Sequence, residues 1–121
     1  MLSWKVFNAG ITGLASTAIC QDVGAGLTAA GTDQSHALEL TNADNEVTTV
    51  GAGSGVSLSS KIAVGDTQTV YNAGANGLKI YPPRGFKING LAANAPMTLA
   101  TNTGCLFKCV STTRVFGVLS A

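Results

Sequence analysis

From about residue 37 onward, large apolar residues occur in short runs with period two, and turn residues separate the runs. Alternation at this period marks strands with one face buried. Nine segments qualify: 37–40, 46–50, 56–58, 67–72, 77–81, 85–88, 96–99, 104–111 and 114–119. In the fifth, Leu78 and Ile80 point one way and Lys79 and Tyr81 the other. The punctuation is chemically specific. Asn76-Gly77 and Asn89-Gly90 suit the positive φ angles of tight hairpins, and Pro82-Pro83 removes two amide donors and ends the strand before it. The firmest local expectation is a hairpin at the end of the chain. There Cys105, Phe107 and Cys109 alternate with Leu106, Lys108 and Val110, and a second run returns from Val115 to Leu119.

No segment sustains an apolar period of 3.6 residues, and a short helix ending at Leu40 is weaker there than a strand. Many short strands spaced near ten residues predict an all-β domain, an antiparallel β-sandwich of jelly-roll-like kind. Residues 1–24 stand apart as an extended N-terminal arm or first strand, with the sandwich over 25–121. Leu2, Trp4, Val6 and Phe7 concentrate apolar bulk there, including the single Trp. A terminus this apolar must be tied to something. It is either a strand on its own domain or an arm reaching a neighbour.

Composition changes the picture in one respect. Only 11% of the 121 residues are charged, against about 25% in an average soluble domain, and aromatics are few. Small residues dominate. A surface this poor in charge argues for coverage by other copies or another protein. The net charge of +1 gives no footprint for nucleic acid; Lys79, Arg84 and Lys87 read as a solvated loop edge. No apolar run is long enough for a membrane span, and the first residues lack the layout of a signal peptide.

Candidate chemistry does not rise above the background. On one strand, Cys105 and Cys109 lie about 13 Å apart, too far for a disulfide. With Cys20 they read as reduced, mostly buried thiols made in a reducing cytoplasm. The run from Gly24 to Ala29 fits a dinucleotide fingerprint formally but lacks the flanking strand and helix. Gly51 to Gly55 lacks the ending of a phosphate loop. His36 with Ser35 and Asp33 or Glu39 has the residue types of a catalytic set, but sequence neighbours rarely converge on a nucleophile. The carboxylates Asp22, Asp33, Glu39, Asp44, Glu46 and Asp66 all sit in or beside turns, where they serve backbone geometry. The expectation is therefore no enzyme, no catalytic residue, no metal and no cofactor.

Three stretches carry a resemblance. They are Val70-Tyr-Asn-Ala-Gly-Ala-Asn-Gly-Leu-Lys-Ile-Tyr-Pro82, Ile88-Asn-Gly-Leu-Ala-Ala-Asn94, and the closing strand through Val110-Ser111. With Val47-Thr-Thr-Val50 and Val56-Ser-Leu58 upstream, they resemble a module of tailed-bacteriophage structural proteins over about three quarters of the chain. The usual closing aromatic pair is replaced here by Arg114-Val-Phe-Gly-Val118. A small all-β chain without a fibre repeat is most similar to a capsid decoration (cement) protein. The resemblance implies a homotrimer on the virion surface, bound to the major capsid protein and bridging capsomers, with no nucleic-acid or membrane partner. Leu2, Trp4, Val6 and Phe7 are the candidate anchors, and Tyr71, Tyr81, Pro82 and Arg84 the candidate edge and loop contacts. The alternatives are a tail, baseplate or fibre-associated module touching the host through loop tips near Pro82, and a small carbohydrate-binding sandwich stacking Trp4, Tyr71 or Tyr81 on sugars.

Overall fold

The computed structural model describes residues 22–120. All the regular structure described is β: β1 (Val23–Thr28), β2 (Leu38–Glu39), β3 (Asp44–Thr49), β4 (Gly55–Ser57), β5 (Thr67–Asn72), β6 (Leu78–Tyr81), β7 (Lys87–Ile88), β8 (Met97–Leu99), β9 (Thr103–Cys109) and β10 (Arg114–Leu119). All nine strand segments expected from the alternation are present, each bound within two residues of the expected one. β1 is the addition. Its sequence, Val-Gly-Ala-Gly-Leu-Thr, carries too little apolar alternation to declare itself.

The winding differs from the expected sandwich. Odd and even strands up to β6 fall in different sheets: a six-stranded sheet in the order β1-β3-β5-β9-β10-β7, and a four-stranded sheet in the order β2-β4-β6-β8. β1, β3 and β5 pair in parallel, as do β2, β4 and β6. The chain therefore climbs as a β-solenoid, crossing from one sheet to the other twice per coil, with roughly twenty residues in each coil. The antiparallel jelly-roll is thereby corrected to a mixed, coiled architecture. Only after β6 does the direction reverse. β8 runs antiparallel to β6 and β9 antiparallel to β5, and β10 returns on β9 with Val115 opposite Cys109. That last pair is the expected hairpin.

The two Asn-Gly pairs turn the chain without making hairpins. Asn76-Gly77 lies at the corner that carries the chain from β5 to β6, in the other sheet, and the Asn76 side chain donates to Val50 O at 2.8 Å. Asn89 has the positive φ, 52°, yet it ends β7 rather than turning a hairpin. Its side-chain amide does the work of a missing strand: Oδ1 accepts from Gly117 N (2.9 Å), and Nδ2 donates to Gly117 O (3.4 Å). Pro82 and Pro83 are buried at the end of β6, which lies between β4 and β8.

Between the sheets lie Leu40, Val47, Val56, Leu58, Val70, Leu78, Ile80, Ile88, Leu99, Phe107 and Val115, each at most 1% exposed. A strand buried on one face sends every second residue inward, and β5 does so with Gln68, Val70 and Asn72. The centre of this row is apolar and both ends are amides. At one end Gln68 donates to Leu40 O (3.1 Å) and Asn42 O (3.0 Å) and accepts from Ser59 N (2.9 Å). At the other, Asn72 donates to Asn76 O and Leu99 O (both 2.9 Å) and accepts from Gly74 N (2.9 Å). Each amide satisfies corner backbone that has left the sheet ladders, which would otherwise be buried unpaired. Close packing also constrains one glycine of β10. A Cβ at Gly117 would lie 3.1 Å from both Phe107 Cε1 and Cys105 Sγ, so the Phe107 ring fills the space over the neighbouring strand.

Truncating Asn72 to Ala strands two carbonyls and one amide in the interior. The expected loss is about 3 kcal/mol in urea unfolding, against roughly 0.5 kcal/mol or less for Thr48→Ala on the exposed face. Cys105 gives a second test. Burial pushes its thiol up from 9.0 to about 11, so the folded state holds a proton that the unfolded chain has released. Stability is then fully present below pH 9 and declines as pH rises toward 11. Cys105→Ala is expected to remove that part of the alkaline slope.

Candidate functional site

Two surface regions gather the side chains singled out in the sequence. The first is a corner where the loop between β1 and β2 meets the loop after β6. Buried Tyr81 anchors it, its hydroxyl donating to Thr32 O at 3.1 Å. Gln34 Nε2 donates to Pro82 O (2.8 Å) and Asn94 Oδ1 (3.2 Å), and Arg84 Nη2 donates to Ser35 Oγ (2.8 Å). A cleft of about 240 Å³ opens beside these loops, lined in part by Glu39, Ser60 and Arg84.

The corner brings His36, Asp33 and Ser35 close in space without assembling a catalytic set. Asp33 Oδ1 takes the His36 backbone N–H (2.9 Å) and lies 2.8 Å from His36 Nδ1. The side-chain bond from His36 holds the Asp33 carboxyl below its ordinary range. Ser35 Oγ, however, faces Arg84 rather than the imidazole. Glu39 is also engaged: Ser60 N and Oγ donate to it at 2.9 and 2.8 Å, and the Ser60 amide leads in lowering its pKa. Further along, Asp22 accepts from Ala43 N and Asn42 Nδ2, and Asp66 from Ala63 N. Among the described residues no three His, Cys, Asp or Glu gather as a metal site would need. Gly24 and Gly26 belong to β1, with no helix beginning there, and Gly51 to Ser54 form a turn closed by Ser54 N and Oγ on Gly51 O.

The second region is the outer face of the six-stranded sheet. Because β9 turns Cys105, Phe107 and Cys109 inward, it turns Leu106 and Lys108 outward. β10 likewise presents Phe116 and Val118. The register aligns these residues in rows. Leu106 stands between Thr69 and Val118, and Lys108 between Thr67 and Phe116. Tyr71 lies opposite Gly104, whose position would place a Cβ 3.5 Å from the tyrosine Cδ1, so the ring covers the glycine. Exposure is 40% for Tyr71, 44% for Leu106, 55% for Phe116 and 64% for Val118, which makes this an apolar patch on the sheet.

Of the predicted contacts, Tyr71 and Arg84 are exposed, whereas Tyr81 and Pro82 are buried and hold the corner. Tyr81 is therefore corrected from a contact residue to a structural one, and it has no free ring face for stacking on a sugar. Lys79, Arg84 and Lys87 also do not share one loop edge. Lys79 lies in the four-stranded sheet and Lys87 in the six-stranded one, beside Arg114. Leu2, Trp4, Val6 and Phe7, with Cys20, lie outside the described residues. Leu106, Phe116 and Val118 were not singled out as surface groups in the sequence. The signal was there, since each is the apolar residue that falls on the wrong side of a strand whose inward row is already filled.

The His36 bond to Asp33 has a direct test. In a carbon-detected titration Asp33 is expected below 3.8, and His36→Ala is expected to return it toward that value. No protein-family model matches this chain, and no curated protein or solved structure matches it.

Proposed function

We propose that this chain is a virion structural protein of a tailed bacteriophage, a decoration protein that attaches to the outside of the capsid and bridges capsomers. It is made in the host cytoplasm and works as a homotrimer bound to the major capsid protein. The observation that supports this most is how its polar groups are used. Asp33 and Asp66 close turns, Asp22 and Glu39 tie down loops of the next coil, and Gln68 and Asn72 hold buried corners. Side chains committed to backbone leave a stiff body whose assets are shape and adhesive surface.

The mechanism is mechanical. Leu2, Trp4, Val6 and Phe7 are the anchors, since buried aromatic side chains dominate the energy of many interfaces. Each attached unit adds buried area across a capsomer boundary, so parting the capsomers under internal pressure requires breaking those contacts as well. The second reading is a module of the tail or fibre. The coiled winding favours it, because stacked coils make elongated bodies.

Purified particles separate the two. The protein is expected on heads, and Trp4→Ala is expected to weaken its attachment by about 30-fold or more, read as occupancy against added protein. Finding it on tails selects the second reading. Finding it on neither, or full head occupancy by a chain with all four anchors changed to Ser, overturns the proposal.

A further inference from the structure

The outer face of the six-stranded sheet carries a charge layout that the function above does not use. On one flank β3 presents Asp44 and Glu46, both exposed. On the other, Lys108 of β9, Arg114 of β10 and Lys87 of β7 are exposed. The apolar residues run obliquely from Tyr71, in the row of Glu46, through Leu106 and Val118 to Phe116, in the row of Lys108, and so join the acidic side to the basic one. The register makes the order explicit: Glu46 adjoins Tyr71, Asp44 adjoins Thr69 and then Leu106, and Lys108 adjoins Phe116. Among the described residues the one ion pair is His36 with Asp33. The acids and bases of this face therefore have no opposite charge in contact within the described part of the chain. Across the sheet Asp44 and Glu46 stand two strand spacings of about 4.8 Å from Lys108 and three from Arg114.

We propose that this face is a self-association surface, and that its occupant is the same face of another copy of this chain. The layout is self-complementary in the sense that symmetric assembly needs. Rotating a second copy about an axis in the contact plane lays apolar strip on apolar strip and exchanges the flanks. This arrangement brings acids to bases and withdraws Phe116 and Val118 from water. The apolar strip supplies affinity, and the flanks fix which edge meets which. This contact does not rest on the functional reading above.

The test needs only the full-length chain in solution. Sedimentation is expected to give a reversible oligomer. Phe116→Lys is expected to weaken it by about 30-fold or more, with the folded spectrum and the urea midpoint essentially retained because residue 116 faces solvent. Reversing the acids (Asp44→Lys with Glu46→Lys) or the bases (Lys108→Glu with Arg114→Glu) should each weaken association by about tenfold. Mixing the two reversed chains should restore it as a hetero-oligomer. That rescue identifies the flanks as partners, which general surface damage would not produce. A wild-type chain that stays monomeric at high concentration overturns the proposal. So does an oligomer indifferent to Phe116→Lys. A monomer whose Trp4 emission shifts on Phe116→Lys also overturns it, and identifies the chain's own N-terminal segment as the occupant. Capsid attachment is scored separately on particles, so loss of one result leaves the other standing.

Discussion

A chain that coils between two sheets must turn a corner twice in every circuit, and at each corner its backbone leaves one hydrogen-bonded ladder before joining the next. Those corners adjoin the core, so their carbonyls and amides need partners that neither water nor a neighbouring strand supplies. β5 resolves this with one row of three inward side chains. Gln68 and Asn72 reach outward along the strand to opposite corners, while Val70 fills the interior between them. Their placement at alternate residues also fixes the register of β5, because a slip of one residue would send both amides to solvent and bring Thr69 and Tyr71 into the core.

This dependence explains what was legible in the sequence. Alternation is local, so nine strands could be read from it, and the closing hairpin followed because its two runs are separated by a short polar turn. Pairing partners are not local. An inward row looks the same whether its neighbour runs parallel or antiparallel, and the coils here share no repeated sequence that would have betrayed a solenoid. Asn76-Gly77 misled for a related reason: the residues that make a tight turn also make a corner, and only the destination of the next strand separates the two. β1 escaped notice because its two glycines and one alanine break the apolar alternation, leaving backbone pairing with β3 to define it.

The surface was legible to a lesser degree. Tyr71 is exposed, as a contact residue must be. Tyr81, with the same composition of ring and hydroxyl, is instead spent on Thr32 O beneath a loop. Two residues of the same type in consecutive strands thus have opposite fates, decided by which sheet each strand joins. The acidic candidates behave alike. Their spacing gives residue types compatible with chemistry, but four of the six acids close turns or stitch loops, and the other two lie on the open face of β3.

The two ends of the coil are built differently. Among the described residues β1 has a neighbour on one side only, while at the opposite end β8, β9 and β10 double back across the coils. A parallel edge can receive another strand running the same way without disturbing those already laid down. The doubled-back end cannot, because its strands no longer follow the helical sense of the winding. Duplication of a coil during evolution is therefore accommodated next to β1, and a longer relative built on this plan would keep its closing hairpin unchanged while growing from the other side.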